Sequence, residues 1–203
     1  MHVWYAAYGS NLSRARFDVY LNGGHPDGAT HIYPGCRDTS APIDDVVKDM
    51  QLELVFGGAS RTWGGGVAFV EPGGGATPTK MRYYLITLQQ FEDVVAQENW
   101  LEPGSVDLDE IPFTGSLVLD GDHTYGTIMC LIELHDIPVL TVTQLLGTEQ
   151  AKPSPAYLRH MADGLRESHK LTDLEIVRYL GSKRGVCGAL SDEELAELLG
   201  SPI

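Results

Sequence analysis

Two stretches of the chain carry residue types whose spacing could do chemistry. The first ends at Glu98, whose apolar predecessors Phe91, Val94 and Val95 lie seven, four and three positions before it. Helical spacing puts this carboxylate on the stripe that must face the body of the fold. A carboxylate there is costly unless it is paired or protonated. Desolvation raises its pKa toward the working pH, which is what a general acid/base requires. A helix that stopped one residue earlier would instead release Glu98 to solvent. The second stretch is VWYAAYGSNL, residues 3–12. An aromatic, apolar run ends abruptly at Gly9-Ser10-Asn11, and a helix-like run follows. Such a turn presents several backbone N–H groups at one point, those of Tyr8 to Asn11, suited to an anion or a developing oxyanion. The same residues would also make an ordinary turn with Ser10 or Asn11 as helix N-cap.

Other candidates are weaker. Arg61 and Trp63 sit in a glycine-rich loop, RTWGGG, where Arg61 could clamp a carboxylate and Trp63 could wall a pocket. A surface arginine beside a packing tryptophan reads the same way. Ser10 has no GxSxG elbow around it and no histidine near it in sequence, so a Ser10 nucleophile would need a partner brought in by the fold. Tyr5, Tyr8 and Tyr125 fit buried aromatics with a satisfied hydroxyl.

The elements that must position these groups follow from pattern. Residues 3–8 read as a buried strand, and 12–21 as a helix stopped by Gly23-Gly24. A short extended piece is expected at 30–36. Residues 50–56 alternate as a half-buried strand, with further strands at 67–70 and 80–86. Thr87 with Gln90 makes a capping box for a helix from 88 to 97 or 99. Residues 72–78 read as a surface loop and 105–116 as irregular. Segments 117–119 and 124–134, split by Asp120-Gly121-Asp122, read as a hairpin, and 138–142 as one more strand. From 152 the character is helical: Ser154-Pro155 starts one helix, and Thr172/Glu175 and Ser191/Glu194 are capping boxes for two more. The expected organisation is a single domain over 1–203, with a mixed body at 1–142 and a helical extension at 152–203.

Composition excludes several classes. The 203 residues include 28 acidic and 14 basic side chains, a formal net charge of −14. That disfavours nucleic acid and anionic membranes as partners, since both need a basic patch. No apolar run is long enough to span a bilayer. Three scattered cysteines, no CxxC and no HExxH argue against a metal centre. An odd cysteine count without a secretory leader fits a reducing cytoplasm.

Tyr8-Gly9-Ser10-Asn11-Leu12, directly after an aromatic N-terminal strand, resembles the γ-glutamylcyclotransferase family. Three further segments agree in order. Gln97-Glu98 closes a helix where the family carries its catalytic glutamate. Thr124-Tyr125-Gly126 opens a strand placed like one whose tyrosine lines the family's pocket. Pro153-Ser154-Pro155-Ala156-Tyr157, with Gly164 and Glu167, is similar to the tail helix of animal-type members. The likeness touches 3–21, 80–99, 124–134 and 152–180. Family members often carry glycine where this chain has Asn99.

The resemblance implies an α+β fold, a small mixed β-barrel or strongly twisted sheet with flanking helices and a C-terminal helical segment. It implies an enzyme that releases 5-oxoproline from a γ-glutamyl amide, with Glu98 as general acid/base and with Tyr8–Leu12 and Tyr125 at the substrate; Arg61, in a loop the likeness does not cover, joins them only as the carboxylate clamp read from its own loop. No cofactor or metal is required. The partner is a small γ-glutamyl molecule, and a homodimer is compatible with the sequence. Two other readings stay open: a non-catalytic binding module using the same pocket, and a Ser10-dependent hydrolase.

Overall fold

The fold is built around β1 (His2–Ala7), and alternation explains why its sequence looks uniformly apolar. Trp4, Ala6 and Tyr8 point into one hydrophobic cluster, whereas Val3, Tyr5 and Ala7 point into another. Successive strand residues face opposite sides, so a strand covered on both faces needs apolar residues throughout. The computed structural model describes residues 1–26, 29, 31–73, 77–108, 114–144 and 149–200.

After β1 the chain makes one 3₁₀ turn at Ser10–Leu12 and enters α1 (Arg14–Asn22). The helix therefore starts later than position 12. Leu12 N–H closes onto the Gly9 carbonyl at 3.1 Å, and Ser13 is the N-cap, accepting from Arg16 N–H. Next come β2 (Asp44–Met50), β3 (Leu52–Gly57), β4 (Val67–Pro72) and β5 (Thr79–Thr87). The strand expected at 50–56 is thus β3, and β2 carries no apolar alternation to announce it. Then follow α2 (Leu88–Glu98), β6 (Gly115–Val118), β7 (Thr127–Leu134), β8 (Ile137–Thr143), α3 (Pro155–His169), α4 (Asp173–Gly181) and α5 (Asp192–Leu198). The capping boxes at Thr87/Gln90, Thr172/Glu175 and Ser191/Glu194 are all formed. Parts of the segments expected at 30–36, 72–78 and 105–116 lie outside the described residues. Tyr33 makes a single bridge to Gly24 and no strand.

Six strands form one mixed sheet in the order β2-β5-β1-β8-β7-β6, and β3 with β4 forms a second. β1 runs antiparallel to β5 and parallel to β8. Side chains stitch the two sheets together. Thr143 Oγ1 accepts from Val70 N–H at 3.0 Å and donates to Val70 O at 2.8 Å, while Thr79 Oγ1 donates to Leu52 O at 2.7 Å. The β3–β4 sheet and α3 to α5 fill one face of the large sheet, and α1 and α2 fill the other. No described helix is long and apolar enough to cross a membrane.

Candidate active site

The turn after β1 is fixed from two sides. From β5, the Tyr84 hydroxyl donates to Asn11 O at 2.9 Å and Arg82 Nη1 donates to Leu12 O at 3.2 Å. From the opposite side α3 lies directly on the turn. A β-carbon on Gly164 would sit 2.4 Å from Ser13 N and 2.5 Å from Leu12, and one on Gly9 would sit 2.7 Å from the Tyr157 hydroxyl. Both positions therefore require glycine for close approach.

The turn, the end of α2 and the loop between β3 and β4 enclose a cavity of about 70 Å³. That is several times the roughly 10–15 Å³ needed for one water. Tyr8, Gly9, Ser10, Asn11, Arg61, Glu98 and Tyr125 all line it. Leu12 does not: its side chain is fully buried in the core and its N–H is spent on Gly9, so it leaves the set of candidate ligand-binding residues. The 3₁₀ turn rotates it inward.

Glu98 is the last residue of α2 and is half-buried, its open side being the cavity. Asn11 Nδ2 donates to Glu98 Oε1 at 3.2 Å and to the Tyr5 hydroxyl at 3.1 Å. Burial pushes the Glu98 carboxyl above its ordinary range, against the opposing pull of the Arg16 guanidinium and of hydrogen bonds from Tyr20 and Asn11. Burial also raises the Tyr5, Tyr20 and Tyr125 phenols, with the Glu98 charge adding to the effect in each, so these groups stay protonated.

The neighbours of Glu98 are not directed away from the body, as a simple amphipathic stripe implies. Gln97 is buried: its amide donates to Tyr20 O at 3.0 Å and accepts from Gly35 N–H at 3.2 Å. Segments flanking 35 and 104 wrap the far side of α2, so every residue from Gln90 to Gln97 is buried. Asn99 brackets Tyr125, accepting from its N–H at 2.9 Å and donating to its carbonyl at 3.1 Å. The residue that departs from the family pattern thus holds the tyrosine that lines the cavity. The Tyr125 hydroxyl donates to Ala68 O at 3.2 Å, and the Tyr8 hydroxyl donates to Val142 O at 2.6 Å.

Arg61 is exposed at the mouth, its guanidinium 5.7 Å from the centre of the Trp100 ring. Trp63 packs against Tyr157 and His160 at 6.4 and 4.7 Å. Ser10 is buried, and among the described residues lining the cavity there is no histidine. Among the described residues no cluster of three or more His, Cys, Asp or Glu side chains could hold a metal ion. Sequence reasoning missed Arg16, Tyr20 and Tyr33, which also line the cavity. The one local signal was the four-residue spacing of Arg16 and Tyr20 on α1, which puts them on one helix face.

Among solved structures, one named gamma-glutamyl cyclotransferase superposes with a TM-score of 0.53 at 17% identity, covering 98% of this chain and 99% of that one. An uncharacterized protein from Homo sapiens gives 0.55 at 16% identity, with the same coverage. The chain has the γ-glutamylcyclotransferase-like fold. At these identities the likeness speaks for architecture. No family model matches the sequence. Over 201 residues it is 36% identical to a protein named Histone deacetylase 5 from Arabidopsis thaliana, covering 88% of this chain but 30% of that protein. The chain thus spans under a third of the length of the curated relative it matches. Within the γ-glutamylcyclotransferase-like fold, the cavity lies where β1, α2 and α3 converge.

Proposed function

We propose that the protein is a γ-glutamylcyclotransferase-like enzyme that cleaves a γ-glutamyl amide by cyclisation. The observation that carries this reading is the half-buried Glu98 carboxylate, open to a small cavity and 3.2 Å from the side chain of the N-terminal turn. The substrate's α-amino nitrogen attacks its own γ-carbonyl carbon and forms the lactam C–N bond. Ionised Glu98 takes the proton shed by that nitrogen and delivers it to the departing nitrogen as the original amide C–N bond breaks. The products are 5-oxoproline and a free amine, and no water is consumed. Proton transfer of this kind contributes roughly 10²–10⁴-fold. Amides of the Gly9–Asn11 turn are suited to the oxyanion of the tetrahedral intermediate, where losing one donor costs about 10²–10³-fold. Holding the glutamyl chain bent replaces a conformational search. Arg61, exposed at the mouth, would clamp a carboxylate carried by the leaving group rather than the reacting carbonyl.

The test is direct. Incubation with γ-glutamyl amino acids, glutathione and γ-glutamyl amines should yield 5-oxoproline, and Glu98→Gln should cut its release by roughly 10²–10⁴-fold. Melting stabilised by these compounds without product would instead make the pocket a binding module. A Ser10 hydrolase has less support, since the described lining offers no histidine to serve as base. It would be revealed by a fluorophosphonate adduct lost in Ser10→Ala.

A further inference from the structure

Arg16 is the most unusual charge in the chain. It is 2% exposed, and its guanidinium lies 4.4 Å from the Tyr20 ring centre and 4.5 Å from that of Tyr33. Nη2 donates to the Tyr33 hydroxyl at 2.7 Å. Nε and Nη1 are buried and have no hydrogen-bond partner among the described residues. These two atoms carry three N–H groups. Buried charged donors left unpaired are expensive, so a native protein that keeps them has a use for them. Aromatic faces stabilise the cation but accept none of its in-plane hydrogens. The structural cations of this protein look different: Arg37 is held by Asp93, and Arg82 by Asp45 and Glu167.

A second orphan lies on another residue that lines the cavity. Asn11 Oδ1 is buried and without a partner among the described residues, while its own Nδ2 is committed to Tyr5 and Glu98. Two residues that line the cavity therefore carry buried, unfilled polar groups: cationic donors on Arg16 and an acceptor on Asn11, whose amide nitrogen bonds the Glu98 carboxylate. An α-amino acid head group presents the complementary pair, an anionic carboxylate and an amino donor on one carbon.

We propose that Arg16 is the carboxylate anchor of the site: its free N–H groups take the α-carboxylate of the glutamyl head group, and Asn11 Oδ1 with Glu98 takes the α-amino group. This rests on the cyclising reading above and sharpens it. It leaves the backbone amides of the turn for the oxyanion and makes a free α-carboxylate a requirement of the substrate. Arg61, exposed at the mouth, is a poor alternative, because an exposed ion pair is screened whereas a buried one is not.

The test compares a γ-glutamyl substrate with its α-carboxamide, kcat/KM being corrected for the fraction of free amine. The wild type should prefer the acid by about 10- to 150-fold, the range for hydrogen bonds to a charged group. In Arg16→Gln that preference should fall to within about threefold, mostly through KM, and Arg16→Lys should keep part of it. Equal use of acid and carboxamide by the wild type overturns the proposal while leaving cyclisation standing. So does an Arg16→Gln protein that keeps the preference and only moves the pH profile, since Arg16 would then act on Glu98 and not on substrate. Should Arg16→Gln fail to fold, the wild-type comparison and Arg16→Lys still decide. If neither compound is turned over, the cyclising reading falls. The anchor is then read from binding: stabilisation by 5-oxoproline but not by 2-pyrrolidinone supports it, and equal stabilisation overturns it.

Discussion

Helix α2 carries Asp93 and Glu98 five residues apart, one buried and one half-buried, and the two carboxylates are treated in opposite ways. Asp93 is fully enclosed and completely served. It accepts from Arg37 N–H at 2.8 Å, from Arg37 Nε at 2.9 Å and from Gly104 N–H at 2.9 Å. It ties the segments around 37 and 104 to the helix. Glu98, about one and a half turns on, receives a long bond from Asn11, faces a cavity, and is held above its ordinary pKa by burial. A satisfied buried acid fastens the chain. An under-satisfied one is left able to exchange a proton.

The sharpest way to break this contrast is to neutralise each acid. Glu98→Gln should cut 5-oxoproline release by roughly 10²–10⁴-fold while melting no lower than the wild type. Asp93→Ala should do the reverse, orphaning two backbone amides at about 1–3 kcal/mol each and lowering the melting temperature. Equal stability losses in the two proteins would erase the distinction.

Next in size is the seat of the turn. Gly164→Ala drives a methyl into Ser13 and Leu12. The gain in helix propensity of about 1 kcal/mol should be outweighed by an overpacking cost of about 1–3 kcal/mol, with activity falling as α3 lifts. An alanine protein more stable than the wild type would show that the approach is looser than these contacts.

A smaller effect lies in pH dependence. Glu98 is raised in the folded state relative to the unfolded chain, so folding favours its protonated form. Its contribution to stability is present below the unfolded glutamate pKa and is lost as pH rises through the folded value. Urea titrations of the wild type and Glu98→Gln should therefore diverge with rising pH, the glutamine protein gaining, and converge in acid. The acid limb of kcat/KM should lie above the ordinary glutamate value of about 4.3. The smallest expected effect is at Asn99→Gly. It removes both bonds to Tyr125, at a net cost of about 1–2 kcal/mol, and should raise KM more than it lowers kcat.

Much of this was legible locally. Three capping boxes, the Ser154-Pro155 start and the two-residue alternation of β3 depend on neighbours within a few positions, so residue types alone specify them. Strand β2 was not legible, because it is an edge strand with mostly exposed or half-buried side chains and so lacks an apolar face. The position of Glu98 on α2 followed from helical spacing, whereas the burial of Gln97 did not. The segments that cover the far side of the helix are distant in sequence and carry no periodic mark.

The sequence by itself determined the order of the elements apart from β2, the starts of α2 to α5 and the presence of an acid at the end of α2 beside a Gly-Ser-Asn turn in a strongly acidic chain. Only the tertiary structure decided which side chains face the cavity. It turned Leu12 into the core, brought Asn11 to Glu98 across 87 positions, and sealed Arg16 between Tyr20 and Tyr33 with hydrogens to spare. The reason is that capping and periodicity act over one or two turns. The exclusion of water, which sets the pKa of an acid and the value of a buried cation, depends on segments far apart in the chain closing over the same point.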